Sequence, residues 1–143
     1  MERFLGKYHG VGTENMDEYF KARGMVWPLR KMILSMMDPK NAKREFSEMG
    51  DGNFIYKDTG STRTPVNWSF RLGETFTSTS YDGKQHKILF EFDPSGLKLL
   101  EKHEIVDEPE SQQIYEHYLD NGQLIWVLKI KDTSAKWFYV REQ

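Results

Sequence analysis

The chain predicts a mainly β fold, an antiparallel barrel or sandwich, with two short helices near its start. Turn signals recur at regular spacing, apolar and polar residues alternate between them, and a helical period is confined to about residues 15–37. Aromatic residues make up 14 % of the sequence, which suits a shell with large side chains facing an interior. A length of 143 residues is that of one domain, so we expect a single domain over 1–143.

The first predicted helix begins at Asn15, a residue type favoured at helix N-caps, with Glu18 three residues later in the capping-box position. Gly24 is a natural stop just beyond its end. The residues of its apolar face are Met16, Tyr19 and Phe20.

The second predicted helix begins near Trp27, with Pro28 at the first helical position, and ends at Asp38 before Pro39. Two short amphipathic helices joined by one glycine turn must cover an apolar surface, since their apolar faces would otherwise stay in water. The apolar residues of the second helix are Leu29, Met32, Ile33, Met36 and Met37.

The remainder of the chain is predicted to be strands separated by turns. Gly-, Asp- and Asn-containing turns occur at residues 50–53, 82–83, 93–96 and 120–122. An acidic stretch at 106–113 is predicted to be a long loop on one hairpin. The predicted strands cover residues 4–8, 54–57, 68–72, 88–92, 97–104, 114–119, 124–131 and 136–141.

Alternation along the last three strands predicts which side chains face inward. It places two tyrosine hydroxyls, one imidazole and indole N–H groups in an aromatic interior. A close-packed core seldom keeps so many polar tips unless they bond one another or water, so the pattern favours a water-containing cavity. The inward set is Tyr115, His117, Leu119, Leu124, Trp126, Leu128, Ile130, Trp137 and Tyr139, and the outward set includes Ile125 and Val127.

Composition excludes several classes of function. A net charge of −2 argues against a nucleic-acid partner, which needs a broad basic surface. The absence of cysteine excludes disulfides and thiolate chemistry. No apolar run is long enough to cross a bilayer, and the first residues lack an apolar stretch of signal-peptide length. Either the protein is cytosolic, or Met1 stands where a leader has been removed.

The four histidines give little support for a metal site. His9, His86, His103 and His117 form no close cluster with Asp or Glu at ligand spacing in the sequence. No nucleophile elbow, phosphate loop or dinucleotide fingerprint is present. We therefore expect no metal and no cofactor.

Several segments resemble the fatty-acid-binding protein family. The resemblance lies in residues 4–8 (FLGKY), 14–24 (ENMDEYFKARG), 30–31 (RK) and 72–76 (LGETF), and it extends over the whole chain. Residues 85–88 (QHKI), 107–109 (DEP) and Trp68 are more similar to the nematode branch, whose members are typically secreted.

The resemblance implies a ten-stranded antiparallel up-and-down β-barrel, capped by a helix–turn–helix at about residues 15–37. It also implies a monomeric, non-enzymatic carrier that holds one long-chain fatty acid or similar hydrophobic ligand in the barrel. Secretion after removal of a leader is the expected localisation, with a cytoplasmic location as the alternative.

The chain departs from the family at the head-group site. Members commonly hold the carboxylate with two arginines and a tyrosine. Tyr139 matches the tyrosine, but Trp137 and His117 stand where the arginines are expected. Two interpretations stay open: a carboxylate bound through Tyr139, His117, Trp137 and ordered water, or a ligand with a neutral head group, such as an alcohol, amide or retinoid.

Other site residues follow from position. Lys21, Arg30 and Lys31 form either a basic patch for transient contact with anionic membranes or an ordinary solvated surface. The residues expected to contact the ligand tail or seal the portal are Met16, Phe20, Leu29, Met32, Ile33, Met36, Tyr115, Trp126 and Leu128.

Two other classes of function compete with carriage. One is an interaction module with a filled core, acting through the acidic loop at 107–110 or the basic patch. The other is a barrel enzyme in which His117 and Tyr139 act as acid and base.

Overall fold

A computed structural model describes residues 1–142 as ten strands, two α-helices and three short 3₁₀ turns. The helices are α1 (Met16–Ala22) and α2 (Trp27–Met36), and the 3₁₀ turns are Glu2–Phe4, Pro39–Asn41 and Pro109–Ser111. The strands are β1 (Gly6–Glu14), β2 (Lys43–Gly50), β3 (Asn53–Thr59), β4 (Val66–Arg71), β5 (Phe76–Thr79), β6 (Gln85–Phe92), β7 (Leu99–Ile105), β8 (Gln113–Asp120), β9 (Gln123–Ile130) and β10 (Thr133–Arg141).

The strands form one antiparallel sheet in the order β4-β3-β2-β1-β10-β9-β8-β7-β6-β5. Sequential strands are neighbours, and β1 closes the sheet by pairing with both β2 and β10. The predicted antiparallel barrel with a helical cap is therefore confirmed.

The barrel has one seam, between β4 and β5. These two strands share no backbone ladder in residues 1–142, whereas every other neighbouring pair does. Side chain and loop contacts bridge the seam instead. The indole Nε1 of Trp68 donates to the Thr79 carbonyl at 3.1 Å, and the Thr64 amide donates to the Tyr81 carbonyl at 3.1 Å.

Two strands, β2 and β5, were not predicted from the sequence. β2 carries a charged residue, Arg44, in an inward position, so its alternation reads as polar on both faces. β5 has only four residues, three of them Ser or Thr. The first strand was placed too early, because Phe4 belongs to a 3₁₀ turn and β1 starts at Gly6.

The start of α1 differs from the prediction. Asn15 occupies the N-cap position, but its backbone is left-handed (φ 63°) and its side chain does not cap the helix. The amide Nδ2 instead donates to the Ser134 carbonyl at 2.9 Å, which ties the helix to β10. The predicted capping box with Glu18 is therefore wrong, because the barrel wall competes for the Asn15 side chain.

The end of α1 agrees with the prediction. Gly24 has a positive φ of 88°, a conformation that costs glycine little. Its amide donates to Lys21 and the Met25 amide donates to Phe20, the paired bonds of a Schellman motif.

Helix α2 is rotated relative to the predicted apolar face. Leu29, Met32 and Met36 were expected to face inward, yet they are 40 %, 53 % and 76 % exposed. Met37, which was predicted to face inward, does pack against the core, and so does Leu34, which was not predicted to do so. The rotation follows from the neighbouring Arg30, which donates to Asp17 Oδ1 at 3.0 Å and to the Met25 carbonyl at 2.9 Å.

The inward pattern of the last three strands is confirmed. Of the predicted inward residues, only Leu119 and Ile130 are not fully buried. Ile125 and Val127 face outward and are nevertheless buried. Ile125 is paired with Tyr118 and Phe138 in the sheet register, so neighbouring outward rings cover it.

We predict that Trp68→Phe lowers the free energy of unfolding by about 2 kcal/mol, because it removes the bond across the seam and leaves a cavity among buried rings. Urea unfolding followed by far-UV circular dichroism measures the change. Trp27→Phe is the matched control, since Trp27 is 60 % exposed, and it should change stability by less than about 0.5 kcal/mol. Equal effects of the two substitutions would show that the seam contact contributes nothing.

Candidate ligand-binding interior

Glu101 on β7 is a fully buried carboxylate with three hydrogen-bond donors. It accepts from His103 Nε2 at 2.5 Å, from His117 Nε2 at 2.7 Å and from the Tyr81 hydroxyl at 2.8 Å. Burial alone would raise the pKa of Glu101, but the bonds from the two histidines outweigh it and hold the pKa well below its usual range. The carboxylate is therefore ionised at neutral pH.

The donors reach Glu101 because β6, β7 and β8 are adjacent and their inward residues share one face. In the register, Glu101 pairs with Tyr115, Leu99 with His117, and Ile88 with His103. The histidines meet acidic residues in the fold: Glu101 and His103 lie two residues apart on β7, and strand pairing brings in His86 from β6 and His117 from β8. Within residues 1–142, no group of three or more such side chains is arranged to hold a metal ion.

A chain of hydrogen bonds continues from Glu101 to the surface. His103 Nδ1 lies 2.9 Å from His86 Nδ1, and His86 Nε2 lies 3.0 Å from each carboxylate oxygen of Asp82. The Asp82 side chain is 34 % exposed. The chain therefore connects the barrel interior to solvent through four side chains.

A second buried charge lies across the interior, on β2. Arg44 donates from Nε and Nη2 to Asp58 Oδ2 at 2.9 and 2.5 Å, and Ser61 donates to the other carboxylate oxygen. The guanidinium carbon lies 4.2 Å from the Trp126 ring centroid and 4.6 Å from that of Tyr139. Arg44 was not predicted to be an interior residue. The only indication in the sequence is that this charged residue stands at an alternating position that faces inward.

Five buried polar atoms in this interior have no hydrogen-bond partner among the described residues. All belong to side chains that are at most 1 % exposed, and all lie on β2, β8, β9 or β10. Buried polar atoms are rarely left unpaired, so their concentration in one place marks a binding position for water or a ligand. The atoms are Arg44 Nη1, His117 Nδ1, Trp126 Nε1, Trp137 Nε1 and the Tyr139 hydroxyl.

The predicted head-group residues Tyr139, His117 and Trp137 thus all carry unpartnered atoms, and their role in binding stays a prediction. Trp137 and Tyr139 stack with ring centroids 6.2 Å apart, and His117 stacks on Trp126 at 6.3 Å. Burial raises the pKa of the Tyr139 hydroxyl, so it stays protonated and can donate a hydrogen bond.

Aromatic rings fill much of the remaining interior. Phe70 and Phe90 stack at 4.3 Å, and Tyr56 and Trp68 stack at 5.4 Å. Two clefts, of about 300 and 380 Å³, are lined mainly by polar and charged side chains; the first includes three lysines with buried Arg44 and Asp58, and the second two lysines with Ile88 and His103. The unpartnered atoms, rather than either cleft, therefore identify the candidate site.

The cap contributes fewer interior side chains than the sequence predicts. Met16 and Tyr19 of α1 are buried, and Phe20 packs partly against the core. Arg23 Nη1 donates to the Tyr19 hydroxyl at 2.9 Å. Of the predicted tail or portal residues, Tyr115, Trp126 and Leu128 are buried on the barrel wall, Ile33 is half-buried, and Leu29, Met32 and Met36 lie at the surface.

The predicted basic patch is smaller than expected. Lys21 and Lys31 are exposed, but Arg30 is held by Asp17 and the Met25 carbonyl. Lys31 Nζ lies 5.9 Å from the ring centroid of the exposed Trp27. No helix within residues 1–142 is both long enough and apolar enough to cross a membrane.

Known proteins are similar to this chain in sequence and in fold. No family model matches the chain. Fatty acid-binding protein homolog 3 of Caenorhabditis elegans is 32 % identical over 140 residues, covering 96 % of this chain and 81 % of that protein. The chain belongs to the fatty-acid-binding protein family. The Ascaris suum fatty acid-binding protein homolog is 30 % identical over 142 residues, covering 99 % of this chain and 85 % of that protein, which supports the nematode branch.

Solved structures of fatty-acid-binding proteins agree with the fold. As-p18, an extracellular fatty acid binding protein, superposes with a TM-score of 0.85 at 27 % identity, covering 99 % of this chain and 97 % of that one. A Schistosoma mansoni fatty acid binding protein in complex with arachidonic acid gives a TM-score of 0.77 at 22 % identity, covering 100 % and 98 %, and shows the likeness of fold alone.

We predict that Glu101→Gln destabilises this fatty-acid-binding protein by about 3 kcal/mol at neutral pH, because the buried network loses its negative charge and one of its two acceptor oxygens. The pKa of Glu101 is depressed on folding, so its contribution is present above the unfolded pKa of about 4.3 and is lost as the pH falls towards the folded value. The gap between wild type and variant should therefore narrow below about pH 4.

Urea unfolding at a series of pH values measures this gap. Glu104→Gln, on the same strand but facing outward, is the control and should cost less than about 0.5 kcal/mol. A constant gap down to about pH 3 would contradict the proposed ionised state of Glu101.

Proposed function

We propose that the protein is a non-enzymatic carrier that binds one long-chain fatty acid or similar single-chain lipid inside the barrel for solubilisation and transport. One observation carries the proposal: five unpartnered polar atoms are buried in an aromatic interior. Such a site suits a molecule with one polar end and a long apolar body. The names of the relatives point to the same class of ligand.

The affinity would come mainly from the tail. Burial of each methylene group contributes about 0.8 kcal/mol, so a long alkyl chain supplies several kcal/mol before any head-group contact. Ring contacts such as Phe70 with Phe90 offset part of this gain, because rings must separate where the tail lies. The net affinity is the difference between the two terms.

The ligand would enter through the helical cap and the adjacent hairpin turns. Helix α2 has no fully buried residue, so displacing it exposes little apolar surface. Helix α1 is held more firmly, through buried Met16 and Tyr19 and the bond from Asn15 to Ser134. Movement of α2 against a fixed α1 is therefore the least costly opening.

Carriage accounts for the interior better than catalysis does. His117 donates to Glu101, and no described bond joins it to Tyr139, so the two do not form an acid–base pair. An interaction module with a filled core would not explain why five buried polar atoms lack a partner.

Following As-p18, which is described as extracellular, we propose a secreted monomer.

We predict that delipidated protein binds a fluorescent fatty-acid probe and that oleate displaces it. Tyr139→Phe removes one hydrogen-bond donor to the head group. The Kd of oleate should rise about fivefold, because one hydrogen bond contributes about 1 kcal/mol. Tyr118→Phe, on the outer face of β8, is the matched control and should leave the titration unchanged. If the probe does not bind at all, the protein is no carrier and the filled-core module becomes the better hypothesis.

We further propose that α2 contacts anionic membranes during transfer of the ligand. Its surface exposes Trp27, Met32 and Met36, with Lys21 and Lys31 nearby in the sequence and also exposed. Exposed apolar side chains flanked by lysines are the composition of helices that lie in a membrane interface.

We predict that Trp27→Ser combined with Met36→Ser lowers the rate of probe transfer to anionic vesicles at least threefold, by about 0.6 kcal/mol or more of lost interfacial contact. Stopped-flow fluorescence with vesicles containing phosphatidylserine measures the rate. Met49→Ser removes another exposed methionine, on β2, and should have no effect. A rate that is independent of vesicle concentration in the wild type would indicate transfer through solution and refute the contact.

A further inference from the structure

We propose that the lipid head group binds together with one proton, shared between the head group and Nδ1 of His117. A fatty acid would then be held either as the uncharged acid or as a carboxylate paired with an imidazolium. This inference rests on the carrier function proposed above and specifies the protonation state of its ligand.

The first step is the tautomer of His117. Its Nε2 lies 2.7 Å from Glu101 Oε1, and an ionised carboxylate can only accept hydrogen bonds. The hydrogen is therefore on Nε2. Burial lowers the pKa of His117, although Glu101 opposes the shift, so the ring is neutral at neutral pH. Nδ1 is consequently a bare lone pair, fully buried and without a partner.

The second step is the chemistry of the other unpartnered atoms. The indole Nε1 atoms of Trp126 and Trp137 and the Nη1 atom of Arg44 can only donate, and Tyr139 can donate. The site thus offers several donors and one acceptor that requires a hydrogen. A carboxylic acid or an alcohol supplies both an oxygen lone pair and an O–H. A bare carboxylate supplies no hydrogen and would direct a lone pair at Nδ1.

The third step is the charge of the histidine pair. His103 Nε2 and His86 Nε2 both face carboxylates, so each carries a hydrogen, and a further hydrogen must lie between the two Nδ1 atoms. Two imidazoles then hold three ring hydrogens and share one positive charge. Burial lowers the pKa of His86. The pair lies between Glu101 on one side and Asp82 on the other.

The fourth step is the charge balance. Arg44 and Asp58 cancel, and the positive histidine pair cancels Glu101, so the interior is neutral before the ligand enters. A bare carboxylate would add one uncompensated buried charge, which is costly. One proton taken from solvent restores neutrality. The balance is R–COO⁻ plus H⁺, giving either R–COOH or R–COO⁻ beside imidazolium, with no other bond made or broken.

The groups packed around His117 leave it as the place for this proton. The charged and titratable groups facing it are Arg44 from β2, Tyr56 and Asp58 from β3, and Glu101 from β7. All four already take part in hydrogen bonds. The ring also meets the aromatic side chains of Phe46, Phe90 and Trp126.

The test is the number of protons taken up when monomeric oleate binds to the delipidated wild-type protein. Calorimetry at about pH 7.5 in two buffers of different ionisation enthalpy counts them, since free oleate is ionised well above its carboxyl pKa of about 4 to 5. We expect about one proton per oleate and none per oleyl alcohol. Between about pH 7 and 8.5, the Kd of oleate should rise about tenfold per pH unit, while that of the alcohol stays constant.

His117→Gln tests the assigned acceptor. Glutamine keeps an N–H for Glu101 but cannot hold the extra proton, so oleate should bind at least about tenfold more weakly, and oleyl alcohol less than about threefold more weakly. Binding of the alcohol shows that the variant is folded. His9→Gln is the matched control, because the half-exposed His9 ring on β1 stands beside Glu142, away from this chain of hydrogen bonds.

The outcomes are distinguishable. Binding of both ligands without proton uptake would overturn this inference alone and show a bare carboxylate held by Arg44. Failure of both ligands to bind would overturn the carrier function and this inference with it. A folded His117→Gln protein that matches the wild type in affinity and proton count would refute the role of His117. The wild-type count requires no variant, so it decides the proposal even if His117→Gln does not fold.

Discussion

The interior of this barrel depends on keeping one buried carboxylate satisfied. Glu101 has no access to water, so three donors from two strands and a loop must converge on it. Two of these donors have a second partner: Tyr81 meets Tyr56, and His103 meets His86, which in turn faces Asp82 at the surface. A single polar residue thus fixes the positions of side chains from β3 to β8. Its hydrogen bonds can form only if these strands pair in one register.

The same constraint explains why some polar atoms are left over. Arg44 uses two nitrogens on Asp58 and His117 uses one on Glu101, so each retains one atom aimed into the aromatic interior. Together with two indoles and a tyrosine, these atoms form a polar end within an otherwise apolar volume. In the proposed carrier, this arrangement would hold a long molecule through burial of its apolar body and would orient it through one polar end.

The sequence predicts features that depend on neighbouring residues, but it does not predict contacts between residues on different strands. Alternation along β8–β10, the Gly24 helix stop and the β-turns depend on neighbouring residues, and they were found. His103 meets His86, Glu101 meets His117, and Arg44 meets Asp58 only through strand register, which no spacing in a single sequence reveals. The orientation of α2 was wrong for a related reason: Arg30, treated as a surface cation, bonds back to α1 and turns the methionines outward.

The seam between β4 and β5 sets how the barrel can change its girth. Separating any other neighbouring strands breaks a continuous ladder of backbone bonds, whereas parting these two breaks the bond from Trp68 to Thr79 and the one from Thr64 to Tyr81. The circumference of the barrel can therefore change at the β4–β5 seam, which runs along the length of the strands. Bulkier cargo would widen the wall there, while the polar end of the interior, opposite the split on β8–β10 and β2, keeps its dimensions.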